Sequence, residues 1–255
     1  MAMTFDLITI PCLSDNYAFL LRIDGQTALI DAPEAGPINA ELERRGWGLD
    51  EIWITHHHND HIDGVDELRA TTGAKVRGGA NDEHRLPKLD SKHGDGDTFT
   101  FAGTEVRVMD VSGHTVGHIA FYVPETKSAF TADSLMALGC GRVFEGTFDQ
   151  MWDSLSKLAA LPTDTTICSG HEYTATNARF ALTIEPDNVA LQQRAKDIGI
   201  AKANGVATVP SSLKLELSTN PLLRAGLSEV KSALNMTNDS DASVFAEIRR
   251  RKDSF

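Results

Sequence analysis

His56, His58, Asp60 and His61 stand together in the run His56-His57-His58-Asn59-Asp60-His61. Imidazole nitrogens beside a carboxylate oxygen suit zinc, iron or manganese. Alternate residues of an extended turn point the same way, so His56 and His58 converge on one ion. Asp60 and His61 open the next element and reach a second ion nearby. His57 has the opposite parity and is read as a support for the ligands or as an exposed side chain.

A pair of metals needs further ligands. His114 follows a β-rich run in Ser112-Gly113-His114-Thr115. Asp133 does the same in Thr131-Ala132-Asp133-Ser134, and His171 in Ser169-Gly170-His171-Glu172. Each sits in a turn of small residues directly after a strand signal. One such residue has an ordinary structural use, but the repeated placement points to a shared site at strand ends. The chemistry of such a site is hydrolysis: a water between two cations loses its proton near neutral pH and becomes a nucleophile.

The elements that must position these groups alternate in the first part of the chain. Phe5–Ile10, Tyr17–Ile23 and Thr27–Ile30 are β-rich, with Asp24-Gly25 as a hairpin turn. Pro37–Arg45 is spaced as a helix and stops at Gly46. Glu51–Thr55 is a strand leading into the histidines, Asp63–Thr72 a helix and Lys75–Arg77 a strand. Gly78–Asp97 is polar and reads mostly as loop. Thr98–Phe101, Glu105–Val111, His118–Val123, Ser128–Thr131 and Thr165–Cys168 are strands, and Asp149–Leu161 is a helix. After His171 only helical runs are evident: Asn177–Thr183, Asp187–Asn204, Ser228–Leu234 and Ala242–Lys252. These signals give an α/β fold followed by an all-α domain, with domains at 1–171 and 172–255.

The chain has 255 residues, 41% hydrophobic and 24% charged, which is ordinary for a globular protein. A net charge of -12 repels phosphate backbones, so nucleic acid is excluded as the main partner. Arg249-Arg250-Arg251-Lys252 is a basic exception near the end. By itself it reads as a solvated helix terminus or as a receptor for an anion. The 3 cysteines, Cys12, Cys140 and Cys168, form no paired motif, which fits a reducing, cytoplasmic setting. No signal peptide or membrane span is read, and a monomer is expected.

The ligand pattern resembles the metallo-β-lactamase superfamily, whose H-x-H-x-D-H hallmark matches residues 56–61. The resemblance implies an αββα sandwich with a dinuclear site. It places His56, His58 and His114 on one metal, Asp60, His61 and His171 on the other, and Asp133 between them. Zinc leads, with iron and manganese as the other metals.

Within the superfamily the chain resembles the glyoxalase II, or hydroxyacylglutathione hydrolase, family. The stretches carrying that likeness are Ile10-Pro11-Cys12-Leu13-Ser14-Asp15-Asn16-Tyr17, Cys140 to Gly146, Gly170-His171-Glu172-Tyr173-Thr174, and Phe245-x-x-x-Arg249-x-x-Lys252-Asp253. The implied reaction is hydrolysis of an S-(2-hydroxyacyl)glutathione, S-D-lactoylglutathione in the usual case, to glutathione and a 2-hydroxy acid. It is the second step of methylglyoxal detoxification. A metal-bridging hydroxide attacks, with Asp60 and Asp133 as catalytic carboxylates. Glutathione is held by residues matching Arg142, Tyr173, Asn177, Arg249 and Lys252. Phe144 stands where the family often has tyrosine, which removes a hydroxyl from the substrate site. Asp63 replaces a common glycine and is expected to cap the following helix. Asp31 is a candidate to steer a ligand imidazole, or equally a turn residue before Pro33.

The alternative from another reaction class is a glutathione persulfide dioxygenase of the same superfamily, which the helical segment with Arg249 and Lys252 argues against. A β-lactamase, a nuclease and a non-catalytic metal module are weaker still.

Overall fold

Asn16–Ile23 buries nearly every side chain, which requires covering on both faces. The computed structural model describes residues 3–255 and shows how that covering is built. By contacts the chain forms two compact units. One runs up to Asp110 and resumes over Thr115–Thr131; the other comprises Val111–His114 and Ala132–Phe255.

The first unit holds a sheet of β1 (Phe5–Cys12), β2 (Asn16–Ile23), β3 (Gln26–Ile30), β4 (Glu51–Trp53), β5 (Lys75–Gly79) and β6 (Ser91–His93), in that spatial order. The first three strands are antiparallel neighbours, and β3 to β6 run parallel. The parallel crossovers carry helices α1 (Ala35–Arg45), α2 (Asn59–Ile62) and α3 (Val65–Thr72). A second, antiparallel set follows: β7 (Thr98–Phe101), β8 (Thr104–Asp110), β9 (Ile119–Val123) and β10 (Ser128–Ala132).

Strand side chains alternate, and that period separates two layers of core. Ala18, Leu20 and Ile52 join Ile38 and Leu42 of α1 and Leu68 of α3 in one cluster. Trp53 and Phe19, one position along, face the other way. The Trp53 ring meets Phe99, Phe101 and Phe121 at 5.2, 5.3 and 5.4 Å, and Phe19 lies 6.0 Å from Phe130. Sheet therefore packs on sheet through aromatic rings, with helices on the outer face. This is the α/β sandwich that the ligand pattern implied.

The second unit carries β11 (Leu135–Met136), β12 (Gly139–Cys140), α4 (Phe148–Ala159), β13 (Thr166–Ser169), α5 (Thr174–Ile184), α6 (Val189–Ala203), β14 (Ser211–Ser212), α7 (Leu213–Thr219), α8 (Ser228–Ala233) and α9 (Asp241–Asp253). β11 pairs with β12, and β13 with β14. The chain after His171 is mostly helical, as its sequence implied.

Three local expectations change. Residues 78–97 are not mostly loop: they contain β6 and a 3-10 turn at Ala80–Arg85. A three-residue strand is made by pairing with β5, which no local propensity announces. Asp63 does not cap α3. It closes α2, donating its N–H to Asn59 O, and the cap position of α3 is Gly64. A β-carbon at Gly64 would lie 2.9 Å from Ala35 N, so close packing on the start of α1 dictates that residue. Helix α7 and the two-residue strands β11, β12 and β14 are too short to show a period.

Candidate metal centre and substrate site

Strand β4 stops at Trp53, and residues 54–58 belong to no helix or strand. Asp31, at the end of β3, takes over their support. Its Oδ1 accepts the Thr55 N–H at 2.8 Å and its Oδ2 the Thr55 hydroxyl at 2.8 Å. The same Oδ2 lies 2.8 Å from His61 Nδ1. Asp31 has φ 57, a left-handed conformation that aspartate tolerates better than most residues. The steering role anticipated for Asp31 is thus what the geometry gives it.

These contacts assign the imidazole tautomers. His61 donates Nδ1–H to Asp31, which makes Nε2 its lone-pair nitrogen. His56 Nδ1 lies 3.0 Å from the Thr55 hydroxyl, whose own proton goes to Asp31, so its lone pair is also on Nε2. His56 Nε2 lies 3.2 Å from His58 Nδ1, the separation of two ligand atoms on one cation. Asp60 sits in the single turn of α2. Its Oδ2 is 3.9 Å from His61 Nε2 and accepts Asn16 Nδ2–H at 3.0 Å. His56 and His61 are fully buried, and the His118 ring stacks on His56 at 4.6 Å. Asp31, His56 and His61 offer ligand atoms within 4.8 Å of one another.

In the second unit, the donors gather on Asp133. The Gly170 N–H donates to Ala132 O, so Asp133 and His171, each the next residue along, emerge together. His171 Nε2 and His114 Nε2 each lie 3.3 Å from Asp133 Oδ2. His114 donates Nδ1–H to Arg142 O at 2.7 Å, again leaving Nε2 as the lone-pair nitrogen. The turn carrying His114 is braced from below by Ser154 Oγ, which donates to Ser112 O at 2.6 Å. Above it runs Gly141. A β-carbon there would fall 2.0 Å from Asp133 O and 2.9 Å from His114 Nδ1. Only glycine lets the backbone pass.

Imidazole nitrogens gathered beside carboxylate oxygens are the donor set a divalent cation takes. The residues of each unit fit such an ion.

The six residues matched to glutathione contacts all lie in the second unit. Tyr173 is exposed and its ring stacks on His171 at 4.7 Å and 7°. Phe144 is exposed and meets the His114 ring at 5.3 Å. Arg142 Nε and Arg249 Nη2 both donate to Asp253 Oδ1, at 3.1 and 2.9 Å. Arg249 is only 5% exposed and also donates from Nη1 to Cys140 O at 2.9 Å. Its Nε is buried and has no hydrogen-bond partner. Asn177 is buried and donates to Ala137 O at 3.0 Å. Lys252 Nζ lies 5.3 Å from the Phe180 ring and 5.2 Å from the Phe255 ring. Burial first, then the Arg249 and Arg179 charges, lower its pKa to about 8. Arg250 and Arg251 pair with Glu247 on the exposed face of α9.

Sequence reasoning passed over Asn16, Thr55, Asp82, His118 and Gly141. Asn16 and Gly141 lie in stretches that carried the family likeness, a signal available without coordinates. Thr55 and His118 border histidine motifs, and nothing marked Asp82.

A family model described as the metallo-beta-lactamase superfamily matches residues 14–171. One described as the hydroxyacylglutathione hydrolase C-terminus matches residues 172–255. The chain is 60% identical over 255 residues to hydroxyacylglutathione hydrolase of Ruegeria pomeroyi, covering 99% of this chain and 100% of that one. It is 60% identical over 255 residues to the protein of the same name from Roseobacter denitrificans, at 99% and 100% coverage. To that of Rhizobium meliloti it is 51% identical over 246 residues, covering 96% of each. Among solved structures, the BLEG-1 B3 metallo-beta-lactamase superposes with a TM-score of 0.67 at 19% identity, covering 86% of this chain and 99% of that one. TTHA1623 in a di-iron-bound form gives 0.63 at 22% identity, with 86% and 100% covered. At such identities these two establish the fold.

Proposed function

The chain belongs to the hydroxyacylglutathione hydrolase family of the metallo-β-lactamase superfamily, and from that premise we propose how it works as a thioesterase. It hydrolyses S-(2-hydroxyacyl)glutathione to glutathione and a 2-hydroxy acid. The observation that carries this reading is identity of 60% along the whole chain to hydrolases of that name. The persulfide dioxygenase alternative is not favoured, since the hydrolase C-terminal family model covers residues 172–255.

The enzyme uses divalent metal ions, and zinc is the proposed metal. His56, His58 and His114 would hold one ion and Asp60, His61 and His171 the other, with Asp133 as a ligand of the same centre. Such ions supply an activated water and polarise the thioester carbonyl. The protein's own part is orientation. Asp31 aims His61, Thr55 and Asp31 aim His56, and Arg142 O aims His114. Asn16 holds the Asp60 carboxylate, which orients the attacking water.

The leaving thiolate needs little acid assistance, because a thiol has a pKa of about 8.5. Glutathione brings two carboxylates. Arg249 and Lys252 are proposed to grip one of them, with Arg142 and Tyr173 at its side. Asn177 supports the segment that carries Gly139 and Gly141. Phe144 offers a ring face and no hydroxyl. S-D-lactoylglutathione, formed from methylglyoxal, is the proposed physiological substrate.

Residues 1–171 are proposed as the catalytic domain and 172–255 as the substrate-binding domain of a cytoplasmic monomer. Among the described residues no helix is long and apolar enough to cross a membrane.

The test is hydrolysis of S-D-lactoylglutathione with metal analysis of the same sample. Turnover lost on chelation and restored by zinc is expected. Oxygen uptake with glutathione persulfide, and no thioester cleavage, would overturn the reading.

A further inference from the structure

Asp82 belongs to no ligand set, yet its side chain is completely buried. It lies in the 3-10 turn Ala80–Arg85 that follows β5. Asp82 Oδ2 is 2.9 Å from His57 Nδ1, and Oδ1 accepts Arg85 Nε–H at 2.5 Å. Arg85 Nη1 is also 3.3 Å from His57 Nε2. A β-carbon at Gly117 would fall 2.5 Å from Asp82 Cβ and Cγ, so the chain leading into β9 lies directly on this carboxylate.

A carboxylate withdrawn from water is costly unless it is paired and hydrogen-bonded. Arg85 alone would supply the charge. The contact to His57 has a further consequence, because of where His57 stands. Backbone hydrogen bonds reach Ile54, which donates to Arg77 O, and Thr55, whose carbonyl accepts from Ile119. Beyond Thr55 the chain leaves the ladder until the His58 carbonyl, which accepts the His61 N–H, and side chains help to hold the residues between. Thr55 is held by Asp31 and His57 by Asp82. Held residues and ligand residues therefore alternate: Thr55, then His56, then His57, then His58. In extended chain, fixing one parity sets the direction of the other.

We propose that Asp82 is a positioning residue of the metal centre: through His57 it fixes the backbone that aims His56 and His58, while Arg85 locks the carboxylate in place. The inference rests on the reading of His56 and His58 as metal ligands. It gives His57 a task inside the motif that its parity alone does not reveal.

The test is zinc affinity, by competition with a chromophoric chelator, alongside urea unfolding of the metal-free proteins. His57→Ala is expected to weaken zinc binding about 10- to 100-fold, the usual effect of losing a group that orients a ligand. Metal-free stability should fall far less than zinc affinity does, since Arg85 still pairs with the buried Asp82 carboxylate. His57→Asn, whose amide nitrogen stands where the imidazole Nδ1 does, should recover most of the affinity. Asp82→Asn should show the loss seen in His57→Ala. Parental zinc affinity in His57→Ala overturns the proposal, as does a loss that merely follows metal-free stability or that His57→Asn fails to relieve. Should the unsubstituted protein bind no zinc, the ligand assignment itself falls, which distinguishes that failure from this one.

Discussion

Asp31 Oδ2 lies 2.8 Å from His61 Nδ1, and the same carboxylate holds Thr55 by its N–H and its hydroxyl. One side chain at the end of β3 thus ties down the loop after β4 and the helical turn beyond it. Asp31→Ala leaves a buried Thr55 N–H without its acceptor, a loss of about 1–3 kcal/mol in metal-free stability. Zinc affinity should fall as well, about 10- to 100-fold. Urea unfolding and chelator competition read the two effects separately. Unchanged zinc affinity would reduce Asp31 to a turn residue.

Asp133 is the common partner of His114 and His171 at 3.3 Å each. Asp133→Ala is expected to lower kcat by at least about 100-fold, because both donors and the proposed bridge lose their reference point. Steady-state kinetics with metal analysis decide the matter. Near-parental turnover in a metal-replete variant would remove Asp133 from the machinery.

Gly141 has no room for a side chain: the nearest atom to an added β-carbon is Asp133 O at 2.0 Å. Gly141→Ala must push this segment off Asp133 and His114. A shift of about 1 Å at catalytic groups costs on the order of 100-fold in rate. Activity should collapse while the far-UV circular dichroism of the folded protein is kept. An active Gly141→Ala enzyme would show that the segment yields freely.

Lys252, lowered to about 8 by burial and by Arg249 and Arg179, loses its charge as pH passes that value. If its ammonium grips a substrate carboxylate, KM rises above about pH 8 while kcat is less affected. Lys252→Arg keeps its charge and should flatten that rise. For stability the sign is opposite to the usual paired lysine. The folded pKa lies below the ordinary lysine value of 10.5, so the unfolded chain binds the extra proton between about 8 and 10.5. Stability contributed by this group therefore increases with pH across that window. A KM flat in pH for the unsubstituted enzyme would take Lys252 out of the substrate site.

Arg249 is more deeply placed than a surface anion receptor. Its donors to Cys140 O and Asp253 mean that Arg249→Ala should lower stability by about 1–3 kcal/mol in addition to raising KM. Thermal or urea unfolding checks the first effect, and thioester kinetics the second. A raised KM with parental stability would assign Arg249 to substrate alone.

The sequence by itself determined the family and pointed to the proposed ligand residues. Four candidate ligands in one short run, and single His or Asp residues after strand signals, are local patterns, and local patterns survive without coordinates. The β-rich run of β2 and the helical spacing of α1 were legible for the same reason. Strand β6, helix α7 and the two-residue strands were not, because pairing and packing make them. Likewise Asp63 looked like a helix cap until the contact of Gly64 with α1 moved that role. Only the tertiary structure decided how the ligands are held. Asp31 reaches His61 across 30 positions, and Asp82 reaches His57 across 25. Such distant pairs leave no periodic trace in sequence. They exist because a buried carboxylate must find partners and a buried imidazole must have its tautomer fixed, and only the folded chain says which residues are close enough to do it.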